Sequence, residues 1–129
     1  MSTTAIDLSI EFCGTTFINP FLLSSSPVSN SAEMVARSFD MGWAGVAFKT
    51  MHADQQTIIH PSPRMNSYHY GSKKLMGLQN VEQISDRCLK DNLMDILYLK
   101  KHYPKHVILA SIMGFSNEEW AYLAKTSED

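Results

Sequence analysis

Gly45-Val46-Ala47-Phe48-Lys49-Thr50 is the stretch that decides how this sequence folds. Its first four residues are continuously apolar, as in a strand buried on both faces, and such strands belong to parallel sheets. It then ends on a cation and a hydroxyl, Lys49 and Thr50, an ending that burial alone does not require. Two further segments have the same character. Upstream, Phe21-Leu22-Leu23 runs into the hydroxyl-rich Ser24-Ser25-Ser26-Pro27, and downstream stands Val107-Ile108-Leu109-Ala110-Ser111-Ile112.

Helical patterns separate these strands. Asn30 followed by Glu33 has capping-box spacing, and Met34, Val35, Ala36 and Phe39 form an apolar face that stops before Gly42. Leu89, Leu93, Ile96, Leu97 and Leu99 recur at helical period and end at Tyr103-Pro104, because proline cannot continue a helix. Ser116 and Glu119 open a third helix whose expected inner face is Trp120, Leu123 and Ala124. Ahead of all this, Leu8, Ile10 and Phe12 alternate with Ser9 and Glu11, and Gly14-Thr15 turns the chain, which predicts an antiparallel hairpin. The stretch from Met51 to Asn80, rich in His, Ser and Pro, has neither period and reads as one long irregular loop. Loops of that length inside a domain are usually functional.

The order is therefore hairpin, then β-α-β-(long loop)-α-β-α, an α/β class with a parallel sheet built by right-handed crossovers. At 129 residues, 44% hydrophobic and 19% charged, the composition is that of one ordinary globular unit. A net charge of -2 gives no basic footprint for nucleic acid or an anionic membrane. The opening residues Met1-Ser2-Thr3-Thr4-Ala5-Ile6-Asp7-Leu8 contain neither a basic nor an apolar leader region, and no apolar run approaches the ~18 residues of a membrane span, so a cytoplasmic protein is expected. Cys13 and Cys88 stand far apart without a Cys-x-x-Cys pair and read as buried structural thiols.

Taken in order, Leu8 to Gly14, Asn19-Pro20-Phe21, Ser24 to Pro27, Gly42 to Val46, Phe48-Lys49-Thr50, Ser62-Pro63-Arg64, Asn80 to Ile84 and Ala110 to Gly114 resemble the dihydroorotate dehydrogenase superfamily. Within it they are most similar to the flavin subunits of bacterial NAD-dependent dihydropyrimidine dehydrogenases. The resemblance implies a fold: residues 1–129 as the N-terminal part of a (β/α)8 TIM barrel, about three β/α units preceded by a β-hairpin. A whole barrel of this kind needs ~250 residues, so the chain is expected to be a fragment. A small complete three-stranded α/β domain is the alternative.

The resemblance also implies chemistry. Family members carry FMN across the barrel mouth and pass a hydride between its N5 and the C5–C6 bond of a pyrimidine, interconverting uracil or thymine with the dihydro forms. Electrons come from NAD(P)H through FAD and iron–sulfur clusters on other domains or a partner subunit, and the full-length protein is expected as a homodimer or hetero-oligomer. By resemblance, Ser25, Lys49 and Thr50 bind the flavin, and Asn80, Glu82 and Ile84 line the substrate. An ammonium at a strand end suits a reduced flavin, which gathers negative charge on its pyrimidine edge. The other reading of Lys49 is a side chain snorkelling to solvent. The proton-donating cysteine of the family stands in an Asn-x-Ser-Cys-Pro context that this chain lacks, so neither Cys13 nor Cys88 is assigned to it and no catalytic residue is expected here.

Gly77-Leu78 and Asn80 match the dihydroorotate dehydrogenase pattern, but Gln79 replaces its proline and Glu82 intrudes, which would repel a substrate carboxylate. Dihydropyrimidine is thus preferred over dihydroorotate. A non-catalytic truncated product that folds only by pairing its open edge remains a third reading. Among other polar residues, His102 and His106 read as surface histidines, because Pro104 breaks the helix that would align them for a metal, and Arg64 reads as the anchor of the long loop.

Overall fold

The computed structural model describes residues 6–54, 58–72 and 74–128, and the reading of residues 1–5 lies outside them. Three parallel strands form the centre: β3 (Leu22–Leu23), β4 (Gly45–Ala47) and β7 (Val107–Leu109), in the order β3-β4-β7. Leu22 and Val107 lie opposite Gly45, and Leu23 and Ile108 lie opposite Val46. A Cβ added to Gly45 would stand 2.6 Å from the Val107 carbonyl oxygen and 2.9 Å from Leu22, so only glycine permits this three-strand approach.

Helices supply the cover. In α1 (Ala32–Asp40) the apolar face narrows to Val35 and Phe39, with Met34 exposed. The helix is capped one residue later than expected: Ser31, not Asn30, accepts from the Met34 N–H, while the Asn30 side chain is engaged elsewhere. At the far end Gly42, at φ 100°, reverses the chain in a conformation closed to most side chains. In α2 (Leu89–His102) Leu89, Ile96 and Leu99 are buried, and the helix stops at Tyr103, directly before Pro104. Lys100, Lys101 and His102 in its last turn complement the helix dipole. In α3 (Asn117–Glu128) the expected three-residue face is reduced to Leu123; Trp120, although it lies against Gly114, and Ala124 are exposed. Val35, Phe39, Leu89, Ile96, Leu99 and Leu123 meet Leu23, Val46, Phe48 and Met51 from the sheet in one core.

Two antiparallel hairpins flank this unit. β1 (Ile10–Phe12) pairs with β2 (Thr15–Phe17) as the alternation predicts, although only Phe17 is buried. The stretch expected to be irregular contains a second hairpin, β5 (Met65–Tyr70) with β6 (Lys74–Asn80), whose pairing shifts register after Tyr68. None of its described residues is buried. With no core-facing side there was no alternation to read, which is why the sequence concealed it. Both cysteines also depart from expectation: Cys13 and Cys88 are exposed. Cys13 occupies the tight β1–β2 turn at φ 52° and Cys88 caps α2, places where the backbone rather than the core dictates position.

The fold is therefore α/β with a parallel sheet. Among the described residues β3 and β7 each pair on one side only and no closed barrel forms. No helix among them is long and apolar enough to cross a membrane.

His106, expected at the surface, is partly buried against Phe39, with ring centroids 4.3 Å apart and planes at 27°. Burial pushes its pKa below the ordinary 6.5, while the Asp40 charge acts in the opposite direction. A depressed folded value favours the neutral ring, so its contribution to stability is complete above 6.5 and is lost as pH falls through the folded value. The melting temperature is expected to drop between about pH 8 and about pH 5, and to drop less in His106→Phe, which keeps the stack without the titration. Leu99→Ala, which empties a fully buried position, is expected to cost roughly 2–5 kcal/mol in urea unfolding.

Candidate functional site

The ends of the three parallel strands converge on a hydroxyl ladder. β3 delivers Ser25, the extension of β4 delivers Thr50 and that of β7 delivers Ser111. Thr50 Oγ1 lies 2.8 Å from Ser111 Oγ and 3.4 Å from Ser25 Oγ. The backbone clamps the middle rung: the Met51 N–H donates to the Ser111 carbonyl at 2.8 Å, and the Ser85 N–H donates to the Thr50 carbonyl at 2.8 Å. Ser111 was not among the sequence candidates, although a hydroxyl after the third apolar strand repeats the pattern of Ser25 and Thr50.

Beside the ladder stands Lys49. Its side chain does not snorkel; the residue is 3% exposed. Its backbone N–H donates to the Ser29 carbonyl at 3.0 Å. The ammonium faces Glu82, whose Oε2 is 3.6 Å away and whose side chain is also buried. That separation is Coulombic contact rather than a hydrogen bond, and among the described residues Nζ makes no hydrogen bond. A buried cation with unused donors is a costly arrangement unless an acceptor can reach it.

Glu82 is held more firmly from its other side. Arg64 donates to Oε1 at 2.9 Å from one guanidinium nitrogen and to Asp86 Oδ2 at 3.1 Å from the other. Arg64 thus anchors the long segment, as expected. The bond to Arg64, more than any other contact, holds the Asp86 carboxyl below its ordinary range, while Asp86 in turn raises the Arg64 guanidinium. Asn80 Oδ1 accepts from the Glu82 N–H at 2.9 Å, which turns its amide donors away from that bond. Ile84 is buried, next to the Ser85 that joins this loop to Thr50.

Residues 80–87 are in turn fixed to the sheet by uncharged and charged bonds. Ser85 Oγ donates to Asn30 Oδ1 at 2.9 Å and approaches the buried Asn92. Arg87 donates to the Asn30 carbonyl at 3.0 Å and pairs with Asp95, whose carboxylate also accepts from the Ala32 N–H at 2.9 Å. Asn30, freed from capping α1, is the hinge pin of this network. All six candidates from the sequence therefore gather at one end of the sheet: Ser25 and Thr50 in the ladder, Lys49 and Glu82 in direct opposition, Asn80 at the end of β6, and Ile84 on the loop that carries Glu82.

Comparison with known proteins bears on the chain as a whole. No family model matches the chain. It is 43% identical over 123 residues to the NAD-dependent dihydropyrimidine dehydrogenase subunit PreA of Escherichia coli strain K12, covering 95% of this chain and 29% of that protein. It is 37% identical over 117 residues to the chloroplastic dihydropyrimidine dehydrogenase (NADP(+)) of Arabidopsis thaliana, covering 87% of this chain and 28% of that protein. Along almost its whole length this chain is similar to dihydropyrimidine dehydrogenases or a subunit of one, and it spans about three-tenths of the length of the curated relatives it matches.

Proposed function

We propose that this chain is the part of an FMN-dependent dihydropyrimidine dehydrogenase barrel that holds the pyrimidine edge of the flavin and one side of the substrate. The observation that carries the reading is Lys49: a residue 3% exposed, just past a strand end, whose ammonium has no hydrogen-bond acceptor among the described residues. The donor set fits the group. A flavin's pyrimidine edge offers carbonyl oxygens and a ring nitrogen as acceptors and one N–H as donor; Lys49 supplies donors only, whereas Ser25 and Thr50 can donate or accept. A bound FMN would supply hydride transfer to or from the C5–C6 bond of uracil or thymine.

The chain's own residues then have separable roles. Lys49 compensates negative charge on the reduced ring, and its near-exclusion from water strengthens that compensation. Ser25 and Thr50 orient the ring edge. Asn80, its oxygen occupied by the Glu82 N–H, presents amide donors to a substrate carbonyl, and Ile84 provides apolar packing on the same loop. The chain supplies no catalytic acid in this reading. FAD, iron–sulfur clusters and the NAD(P)H site belong to other domains or a partner subunit, and the full assembly is a homodimer or hetero-oligomer working in the cytoplasm.

One argument from the sequence weakens. Glu82 was expected to repel a carboxylated ring, but both its oxygens face cations, Lys49 and Arg64. Its charge is largely spoken for, so orotate is disfavoured less by this residue than its identity implies. The preference for dihydropyrimidines over dihydroorotate rests instead on the similarity to dihydropyrimidine dehydrogenase subunits.

The test is made on the full-length protein carrying this chain. Lys49→Ala is expected to release FMN or lower its reduction potential, read by flavin absorbance and redox titration. Asn80→Ala is expected to raise the uracil KM roughly tenfold, equivalent to one lost hydrogen bond of about 1.4 kcal/mol, with flavin still bound. Full occupancy and an unchanged potential in Lys49→Ala would remove this site from the flavin.

A further inference from the structure

Glu82 is placed by three hydrogen bonds, and none involves Lys49. Its backbone N–H is held by Asn80 at 2.9 Å. Its neighbour Val81 donates to the Arg64 carbonyl at 2.8 Å. Its Oε1 accepts from the Arg64 guanidinium at 2.9 Å, the ordinary length of a charge-assisted bond, whereas Oε2 stops 3.6 Å short of Lys49. Arg64 is itself braced from behind by Asp86 at 3.1 Å, and Asp86 receives a further bond from Asn30 at 3.4 Å. The row Lys49, Glu82, Arg64, Asp86 alternates in sign and sums to zero, yet its links are unequal.

The inequality has a chemical meaning. A buried carboxylate facing a buried ammonium should close to a hydrogen bond unless something else holds it, because the attraction grows as the separation and the local dielectric fall. In this site the competitor is Arg64. Its planar fork spans two carboxylates at once, a geometry that a point charge cannot reproduce.

We propose that Arg64 is a positioning residue: by holding Oε1 of Glu82 it keeps that carboxylate from closing on Lys49 and leaves the ammonium open to an acceptor-rich ligand. The inference rests on the reading of Lys49 as ligand-facing and adds a residue that touches neither flavin nor substrate. In Arg64→Gln the carboxylate swings to Lys49, the contact becomes a true hydrogen bond, and the ligand must break it. Removing the carboxylate charge as well, in Arg64→Gln with Glu82→Gln, frees Lys49 again. A role for Arg64 in merely holding the loop would give the reverse order, with the double variant worse than the single.

Two readouts separate this inference from the flavin assignment. The first is the side-chain ammonium signal of Lys49 in NMR of the full 129-residue chain, whose protons should exchange with water more slowly in Arg64→Gln than in the wild type and recover in the double variant. The second is FMN affinity in the full-length protein, expected to fall about tenfold in Arg64→Gln and to return to within about threefold in the double variant. An unchanged Lys49 signal in Arg64→Gln, with a backbone amide spectrum showing the fold intact, overturns the proposal. So does an affinity loss that the second substitution deepens. If the wild-type protein takes up no FMN, the flavin reading fails while the Lys49 signal still decides the role of Arg64.

Discussion

A cation placed at the buried end of a central strand has to be compensated, and much of the site's architecture follows from how Lys49 is compensated. Desolvating an ammonium costs several kcal/mol even after relaxation. Glu82 meets that cost in part, but a carboxylate buried to 5% exposure creates a second charge to satisfy. Arg64 answers the second, and Asp86 answers Arg64 at a point where the side chains are already 41–47% exposed and water can share the work. The row of alternating charges thus leads from a buried pair, Lys49 and Glu82, to a half-exposed pair, Arg64 and Asp86.

That row also explains why a loop with no helical or strand content of its own sits firmly on the sheet. Residues 81–88 are joined to Thr50 by a backbone bond, to Asn30 through Ser85 and Arg87, and to α2 through Asn92 and Asp95. Most of these bonds end on side chains, so they could be built only where polar groups of three separate elements meet. Among the described residues the β5–β6 hairpin has no comparable attachment along its length. It is fixed at its base through Arg64 and Val81, and its sides expose Met65, Tyr68, Tyr70, Leu75, Met76 and Leu78.

The sheet imposes the other constraint. Among the described residues strands β3 and β7 carry unpaired edges, and Leu22 and Leu109 on them are exposed to 37% and 45%. Open apolar edges favour association with further strands. The site's residues nevertheless lie on the paired side of this problem, at ends held by β4, where Gly45 allows both neighbours to approach.

The sequence by itself determined the three parallel strands, the three helices and the first hairpin, because each announces itself through a local period or a proline and glycine boundary. It also placed the six candidate residues at strand ends and on the loop near Asn80, chiefly through resemblance. Only the tertiary structure decided that Lys49 is buried rather than snorkelling, that Glu82 opposes it, and that Ser111 completes the hydroxyl ladder; these contacts join residues 33 or more positions apart, and no spacing encodes them. It likewise decided that Asn30 serves the network while Ser31 caps α1, a choice between adjacent residues of equal propensity. The β5–β6 hairpin escaped sequence reading for a different reason: hydrophobic periodicity records burial, and an element with both faces exposed leaves no such record.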